Sequence, residues 1–544
     1  MGTPEDDPPT ALAPGRIGAA FVALFGLAAA VPVVTLVTLV PSALAGGAGP
    51  LVPLTFVALS GVLLLFCAGQ TAMAKRSPSA GAAYAHVARG LGRPAGLTSA
   101  WLAIAGYQAI QFGLYALAGT AAAPLLRSWF GLTAPWWAVA AACWALVALG
   151  GTMRVEIAAG VIALLTVAEA AVLAGLAAAN IVEPYADRVT TSSIVTDPAT
   201  IDRPMLGLLL AAGVLAFAGF ETTGTYAEET RHPGRAGYGA VVMVAVLLGG
   251  VSWSMIVAAG PSLVTAVAES RGGDLLFDLA ADRVAPWAVT LGRLVFCTGV
   301  LAGLLALHHA IARYLFAMGR ERVLPGVLGH VGRRTGAPRA ASLTQSLIAG
   351  AALAGAYAAG ADPGAGTAHW LIAGGALSIL VLLAGMSLAA LLHLNRKSGG
   401  EGAWSRFSAP LLSTVALASL GYLAFSDLPA LLGLPAGYAR VWLVPGALAA
   451  CLLVGLAHAA LLRGVHPVIY AGIGLSGRVV VITPEAPEEP VRAEPDEAKV
   501  PRQRSPGAHR PERVDVNRKN AELESTSDSP AAPAHEGWTA GPAR

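Results

Sequence analysis

The stretch FAGFETTGTYAEETRHPGR, residues 217–235, lies within a long run of Leu, Ala, Val and Gly and places Glu221 inside that run. A carboxylate within a membrane span is energetically costly and usually faces the bundle interior or an aqueous cavity. Gly213, Gly219 and Gly224 weaken the helix around it, and unwound backbone at membrane depth is tolerated only where it lines a cavity. The stretch therefore predicts a broken membrane helix, in which Glu221 either ties the break together or contacts substrate or a proton directly.

The composition of the chain is that of a membrane protein. Of its 544 residues, 55% are hydrophobic and only 12% are charged, which is far from the composition of a soluble globular domain. A helix needs about 20 apolar residues to cross a bilayer, and such runs predict an all-α membrane protein of about twelve transmembrane helices. The predicted spans are residues 17–41, 51–74, 97–126, 135–153, 155–181, 205–227, 238–260, 286–318, 338–359, 370–394, 409–432 and 441–462.

The distribution of charge predicts the orientation of the chain. Most Lys and Arg residues fall in alternate loops, and cytoplasmic loops carry an excess of these residues. This predicts a multi-pass protein of the cell membrane with both termini in the cytoplasm. The chain then divides into a cytoplasmic N-terminal segment (1–16), a transporter domain (17–462), a segment at 463–483 that is either an interfacial helix or a short cap, and a disordered cytoplasmic C-terminal tail (484–544). The tail is rich in Pro, Glu, Arg and Ser and cannot bury enough apolar surface to fold.

The first span contains a matching interruption. It reads FGLAAAVPVVTLVTLVP over residues 25–41, and Pro32 removes a helical hydrogen bond, which can break the helix at residues 28–31. Interrupted helices at corresponding places in the two halves of a chain are typical of transporters built from inverted repeats. A broken helix exposes a helix-dipole end and free carbonyl groups to a ligand.

Three stretches together resemble the amino acid, polyamine and organocation (APC) superfamily of permeases. They are residues 217–235, SPSAGAAYAHVARGLGRPAGLTSAW at 77–101, and ARYLFAMGRERVLPGVLGHVGRRTGAPRAA at 312–341. The first is similar to the sixth-helix signature, the second to the loop between spans two and three, and the third to the end of span eight with its following loop. The resemblance implies a five-plus-five inverted repeat with broken helices 1 and 6, followed by two extra helices.

The resemblance also implies which residues bind the substrate. Carried over by position, these are Ala28, Ala29, Ala30 and Val31 of the first helix and Phe217, Ala218, Gly219 and Phe220 of the sixth. Phe220 is either an aromatic lid over the site or an ordinary packing residue. The sequence AAAVP replaces the Gly-x-Gly element that receives the substrate carboxylate in many members, and a second proline is missing from HPGRAGYGA. An amino acid, a polyamine or another organic cation therefore all remain open as cargo.

Three further polar residues lie within predicted spans. Glu169, in span five, occupies a helix in which proton-coupled members of the superfamily use an ionisable group in place of a bound cation. Burial favours the neutral form of a carboxyl group, so Glu169 either couples transport to a proton or is a structural hydrogen-bonding group. Tyr107 and Gln111, on one face of span three, either bond to neighbouring helices or line the substrate site.

Two acidic residues follow span six. Glu228 and Glu229 lie at a helix C-terminus, where the helix dipole disfavours anions. We expect them to find partners among Arg76, Arg93 and Arg320 and to close an inner gate as ion pairs. The alternative is a solvated turn.

These features predict a secondary active transporter that moves amino acids or related amines across the cytoplasmic membrane by alternating access, by proton symport or by exchange. A phosphate-binding G-x-x-x-x-G-K-[ST] motif and the common hydrolase and metalloprotease motifs do not occur in the sequence. We therefore expect no enzymatic activity, no cofactor, no metal and no nucleic-acid partner, with the lipid bilayer, a small-molecule substrate and a proton as the partners. The alternative is a transporter-like sensor or regulatory subunit that signals through the C-terminal tail.

Overall fold

The structure, a computed structural model, describes residues 11–185, 188–195, 201–333, 335–361, 366–435 and 437–476. The predicted tail at 484–544, residues 1–10 and residues 477–483 lie outside this part of the chain. Most of the described residues are helical and none belongs to a named strand, and Ile17 and Thr230 make one isolated bridge.

The helices follow one another in an order close to that of the predicted spans. Those of the first half are α1 (Ala19–Ala30), α2 (Pro32–Val37), α3 (Leu39–Ala45), α4 (Leu51–Arg76), α5 (Ala82–Leu91), α6 (Arg93–Phe130), α7 (Trp136–Gly151), α8 (Val155–Val182) and α9 (Arg203–Leu215), and a 3₁₀ segment then covers Phe220–Tyr226. Those of the second half are α10 (Arg235–Ala259), α11 (Val264–Arg271), α12 (Leu275–Ala281), α13 (Pro286–Arg320), α14 (Arg339–Ala358), α15 (Thr367–Arg396), α16 (Ala409–Ser426), α17 (Leu428–Leu431), α18 (Leu443–Val465) and α19 (Pro467–Gly472).

The described helices confirm the predicted fold class. Ten helical stretches are long and apolar enough to cross a membrane, and the first of them joins α1, α2 and α3. Two further helices, α7 and α14, coincide with the fourth and ninth predicted spans. The chain is therefore an all-α, multi-pass membrane protein.

The first span is interrupted within the predicted range. Helix α1 ends at Ala30, Val31 adopts a left-handed conformation with φ of 45°, and Pro32 begins α2. Proline has no N–H to donate and is well placed at a helix start. A left-handed β-branched residue is strained. The side chain of Val31 packs against Gly303 of α13, where a Cβ atom would collide with Val31 Cγ2.

The sixth span is interrupted where the sequence predicted a break. Helix α9 ends at Leu215, Gly219 has φ of 120°, and the 3₁₀ segment begins at Phe220. Only glycine adopts this φ readily. A Cβ atom on Gly219 would also collide with the backbone of Ala29. The two breaks therefore touch through their backbones.

Helices α6 and α15 make the most extensive helix contact in the described part of the chain. A Cβ on Gly375 would lie 2.5 Å from the carbonyl oxygen of Gly106, and a Cβ on Gly113 would lie 2.7 Å from Cγ1 of Ile372. Small residues let membrane helices approach closely enough for dispersion and polar contacts to hold them together.

The end of the bundle that holds Arg76, Arg93, Arg320 and Arg396 is named the Arg-rich end here. The cytoplasmic location of this end remains a prediction. One pair on it is formed by Arg76 and Glu401, whose hydrogen bonds hold the pKa of the Glu401 carboxyl at about 2.

Candidate functional site

A cavity of about 950 Å³ enters the bundle from the end opposite the Arg-rich end and reaches both helix breaks. Its mouth is formed by the segments that join the helices at that end. Its inner wall is apolar and includes Ala29, Ala30, Val31, Ile110, Leu114, Ala212, Leu215, Ala216, Ala218, Ile372, Ala373 and Ala376. Helices α1, α6, α9 and α15 thus enclose a space of the size that small-molecule sites occupy.

Four of the residues expected to bind substrate line this cavity, namely Ala29, Ala30, Val31 and Ala218. Ala28 lies behind the wall, where its carbonyl oxygen accepts the N–H of Val31 at 3.1 Å.

The other expected residues of the sixth helix turn away from the large cavity. Phe217 packs against Phe56, with ring centroids 6.4 Å apart. Phe220 packs edge-on against Phe66 at 5.7 Å and lines a second cavity of only about 40 Å³ on the side of the Arg-rich end. Phe220, the proposed lid residue, therefore lies on the side of the break that faces the Arg-rich end, between the two cavities.

Glu221 ties the sixth-helix break to α6. Its carboxylate accepts the N–H of Gly219 at 2.9 Å and the hydroxyl of Tyr107 at 2.8 Å. Gly219 at the break has no helical partner for this N–H, and an unpaired buried N–H is costly. Glu221 also lines the small cavity.

Tyr107 and Gln111 both bond to neighbouring segments, and neither is on the wall of the large cavity. Besides its bond to Glu221, Tyr107 packs on Tyr314, with ring centroids 6.1 Å apart. Gln111 donates to the carbonyl of Leu304 at 3.1 Å and accepts from Gln345 at 2.8 Å. Interhelical bonding, one of the two expectations for this pair, accounts for these contacts.

Glu169 of α8 lies at the first-helix break. Its Oε1 accepts the N–H of Val33 at 3.3 Å, while Oε2 is buried with no hydrogen-bond partner among the described residues. A Cβ on Gly299 of α13 would lie 2.7 Å from Oε2. The carboxyl group is therefore enclosed between α2 and α13 and keeps one oxygen free.

The two acidic residues after the sixth span form ion pairs. Arg320, one of the three expected partners, donates to both carboxylate oxygens of Glu228 at 2.6 and 2.8 Å. Glu229 pairs instead with Arg313, whose Nε and Nη2 donate to it at 3.0 and 2.8 Å. The Arg313–Glu229 pair is almost fully buried, at 1% and 2% side-chain exposure. The role of these pairs as a gate stays a prediction.

The other two expected partners lie elsewhere. Arg76 bonds to Glu401, and the guanidinium of Arg93 lies 5.6 Å from the ring centre of Tyr470.

Arg313 and the deep cavity wall were not identified from the sequence. Arg313 is a charge within an apolar span, so the reasoning applied to Glu221 would have found it. The wall residues Ile110, Ile372 and Ala376 carry no such signal, because their side chains are of the kind that any membrane helix presents.

Comparison with known proteins identifies the family of the chain. A family model described as amino acid permease matches residues 20–457, which includes both helix breaks and every cavity-lining helix. No curated protein matches the chain. The protein belongs to the amino acid permease family, and it is a membrane transporter of amino acids.

Proposed function

We propose that this permease carries amino acids with an uncharged, apolar side chain by alternating access, and that a proton on Glu169 drives the transport. The observation that carries the proposal is the large cavity, because it joins one face of the bundle to both helix breaks. Alternating access requires a conformer of this kind, open on one side only.

The difference between the two cavities supports this assignment. About 950 Å³ is open on one side of the breaks, and about 40 Å³ remains on the other. The Arg-rich end is closed by the Glu228–Arg320 and Glu229–Arg313 pairs. With the Arg-rich end in the cytoplasm, as the positive-inside rule predicts, this conformer faces outward.

The two breaks offer acceptors for an ammonium group. The N–H of Val33 donates to Glu169 and not to Ala29, and the N–H of Phe220 donates to Phe217 and not to Ala216. The carbonyls of Ala29 and Ala216 thus lose their helical donors, and both residues lie on the cavity wall. Carbonyl groups freed by a broken helix can coordinate cations.

The apolar wall favours an uncharged substrate side chain. The ionisable residues on the described wall are Asp202, Glu269, His369 and Asp427, and all four belong to the mouth. Asp202 precedes α9, which ends at Leu215, so it lies about 20 Å from the break at 1.5 Å per residue. A charged side chain at the break would be buried without a partner, which is strongly unfavourable.

Glu169 is the best-placed group to bind the coupling proton. It is 1% exposed, it touches the start of α2, and its Oε2 has no partner among the described residues. A negatively charged carboxylate at this position would be buried without a compensating positive charge, whereas a neutral carboxylic acid needs none. Protonation would therefore change the contact between α8 and the first-helix break, the element that must move during transport.

Uptake into proteoliposomes tests the proposal. Labelled leucine, phenylalanine, lysine, glutamate and putrescine are compared, each with and without an inward proton gradient. We expect gradient-driven accumulation of leucine or phenylalanine. The accumulation should be lost in Glu169→Gln and retained in Glu156→Gln, a change of the same kind at a half-exposed position on the same helix.

Two results would contradict the proposal. Preferred uptake of lysine or putrescine would overturn the substrate class. Undiminished gradient-driven accumulation in Glu169→Gln would remove Glu169 from the coupling step.

A further inference from the structure

The chain leaves the last long helix and returns across the Arg-rich end. Helix α19 and the four residues after it, residues 467–476, are named the C-terminal strap here. The carboxylate of Glu321 accepts the N–H of Gly474 at 2.9 Å and the N–H of Ser476 at 2.6 Å, and it also accepts the hydroxyl of Tyr84. Arg89 Nε donates to the carbonyl of Gly474 at 3.0 Å.

The strap lies in a closely fitted seat. Gly474 has φ of 82°, and a Cβ there would lie 2.6 Å from Cβ of Ala88. Ile473 is 3% exposed and Glu321 is 8% exposed. A carboxylate that accepts two backbone N–H groups forms charge-assisted bonds, which are stronger than bonds between neutral groups.

The same seat is joined to the residues that close the Arg-rich end. Glu321 directly follows Arg320, which bonds to Glu228. Glu228 also accepts the N–H of Ala80 at 2.8 Å, shortly before α5, which carries Tyr84. The strap therefore rests on α5 and on the end of α13, the two elements that the Glu228–Arg320 pair connects to the sixth span.

We propose that the C-terminal strap is a latch that holds the Arg-rich end closed, and that Glu321 is the positioning residue that fastens it. The end opens when residues 473–476 leave Glu321 and Arg89, because the strap then no longer bridges α5 and α13, which are left joined through Tyr84 and Glu228. This inference rests on the alternating-access part of the proposed function. It adds a regulatory point at which the chain after Ser476 can act on transport.

Cys67 provides a native reporter of opening. It is 3% exposed and lines the small cavity between Glu221 and the Arg-rich end. With Cys143, Cys297 and Cys451 replaced by Ala in the full chain, N-ethylmaleimide reports how often this cavity opens. The assay contains no substrate, so it fails or succeeds independently of the uptake experiment.

The test compares Gly474→Ala with Gly472→Ala. A methyl group at Gly474 cannot fit against Ala88, whereas one at Gly472 meets nothing within 4 Å. Loss of a hydrogen bond to a charged group shifts an equilibrium about tenfold, so Cys67 should react about tenfold faster in Gly474→Ala than in Gly472→Ala. Glu321→Ala should have the same effect, and Glu321→Gln, which keeps one acceptor oxygen, a smaller one.

Equal labelling rates in Gly474→Ala, Gly472→Ala and Glu321→Ala would overturn the latch. Thermal unfolding in detergent verifies that each variant is folded. If Gly474→Ala fails this check, Glu321→Gln decides the question by comparison with Tyr84→Phe. Glu321→Gln replaces one carboxylate oxygen with an NH2 group, whereas Tyr84→Phe removes only the hydroxyl that Glu321 accepts and leaves both strap bonds in place.

Discussion

The carboxylate of Glu169 on α8 accepts the backbone N–H of Val33, 3.3 Å away, just beyond the interruption of the first span. In a continuous helix the Val33 N–H would instead donate to the carbonyl of Ala29. A change in the charge of Glu169 therefore acts directly on the hydrogen bond that it forms at the break.

Gly299 provides the room for this carboxylate. In Gly299→Ala the new Cβ would lie 2.7 Å from Glu169 Oε2, and overpacking of this kind destabilises a protein by about 1–3 kcal/mol. We expect a lower unfolding temperature in detergent and reduced uptake. Gly385→Ala, where a Cβ meets nothing within 4 Å, is the matched control. Equal behaviour of the two variants would contradict the tight enclosure of Glu169.

The bond between Tyr107 and Glu221 should be separable from the role of Glu221 at the break. Tyr107→Phe removes one hydrogen bond to a carboxylate and leaves Glu221 bonded to Gly219, so we expect a loss of about 1.5 kcal/mol. Glu221→Ala leaves both the Gly219 N–H and the Tyr107 hydroxyl unpaired and should cost more than twice as much. Chemical denaturation of the purified variants measures both. A larger effect of Tyr107→Phe would show that Glu221 does not hold the break.

Arg313 should contribute far more to stability than arginines on the surface. Arg313→Ala leaves Glu229 buried without its partner, and breaking a buried pair in this way costs about 3–5 kcal/mol. Arg293, whose partner Asp274 is 59% exposed, is the control, and Arg293→Ala should cost less than about 1 kcal/mol. Unfolding midpoints of the two variants test the difference, and similar midpoints would contradict it.

A carboxylate placed on the deep wall should change selectivity. Ala373→Asp puts a charge where the cavity is apolar, so leucine uptake should fall at least about tenfold. Ala43→Asp makes the same change near the mouth, which already holds acidic residues, and should leave selectivity unchanged. Competition by unlabelled lysine is the second measurement. Normal leucine transport in Ala373→Asp would remove the wall from the substrate site.

The positions of the two breaks could be predicted because their causes are local. Pro32 lacks a donor wherever it stands, and Gly219 tolerates a positive φ that other residues resist. The destinations of the polar side chains could not be predicted. Tyr107 and Glu221 are 114 residues apart in the chain, and only the packing of α6 against the sixth span brings them together.

The cavity wall was the least predictable part of the site. Ile110 and Ile372 are apolar residues at the same helical spacing as residues that face lipid. Whether they line the cavity therefore depends on which helices pack together. The position of the C-terminal strap could not be predicted from the sequence either. Its seat depends on Glu321, whose carboxylate binds backbone groups and leaves no sequence motif.

The backbone contact between Gly219 and Ala29 restricts how this permease can adapt to a new cargo. A side chain at Gly219 would collide with the backbone of Ala29, and a side chain at Gly303 would collide with Val31. Mutations that enlarge or reshape the pocket are thus left to wall positions away from this contact, on α6, α9 and α15, which include Ile110, Ala212 and Ile372. Evolution of specificity in this protein would then proceed at those wall positions, while the backbone contact between the first and sixth spans stays unchanged.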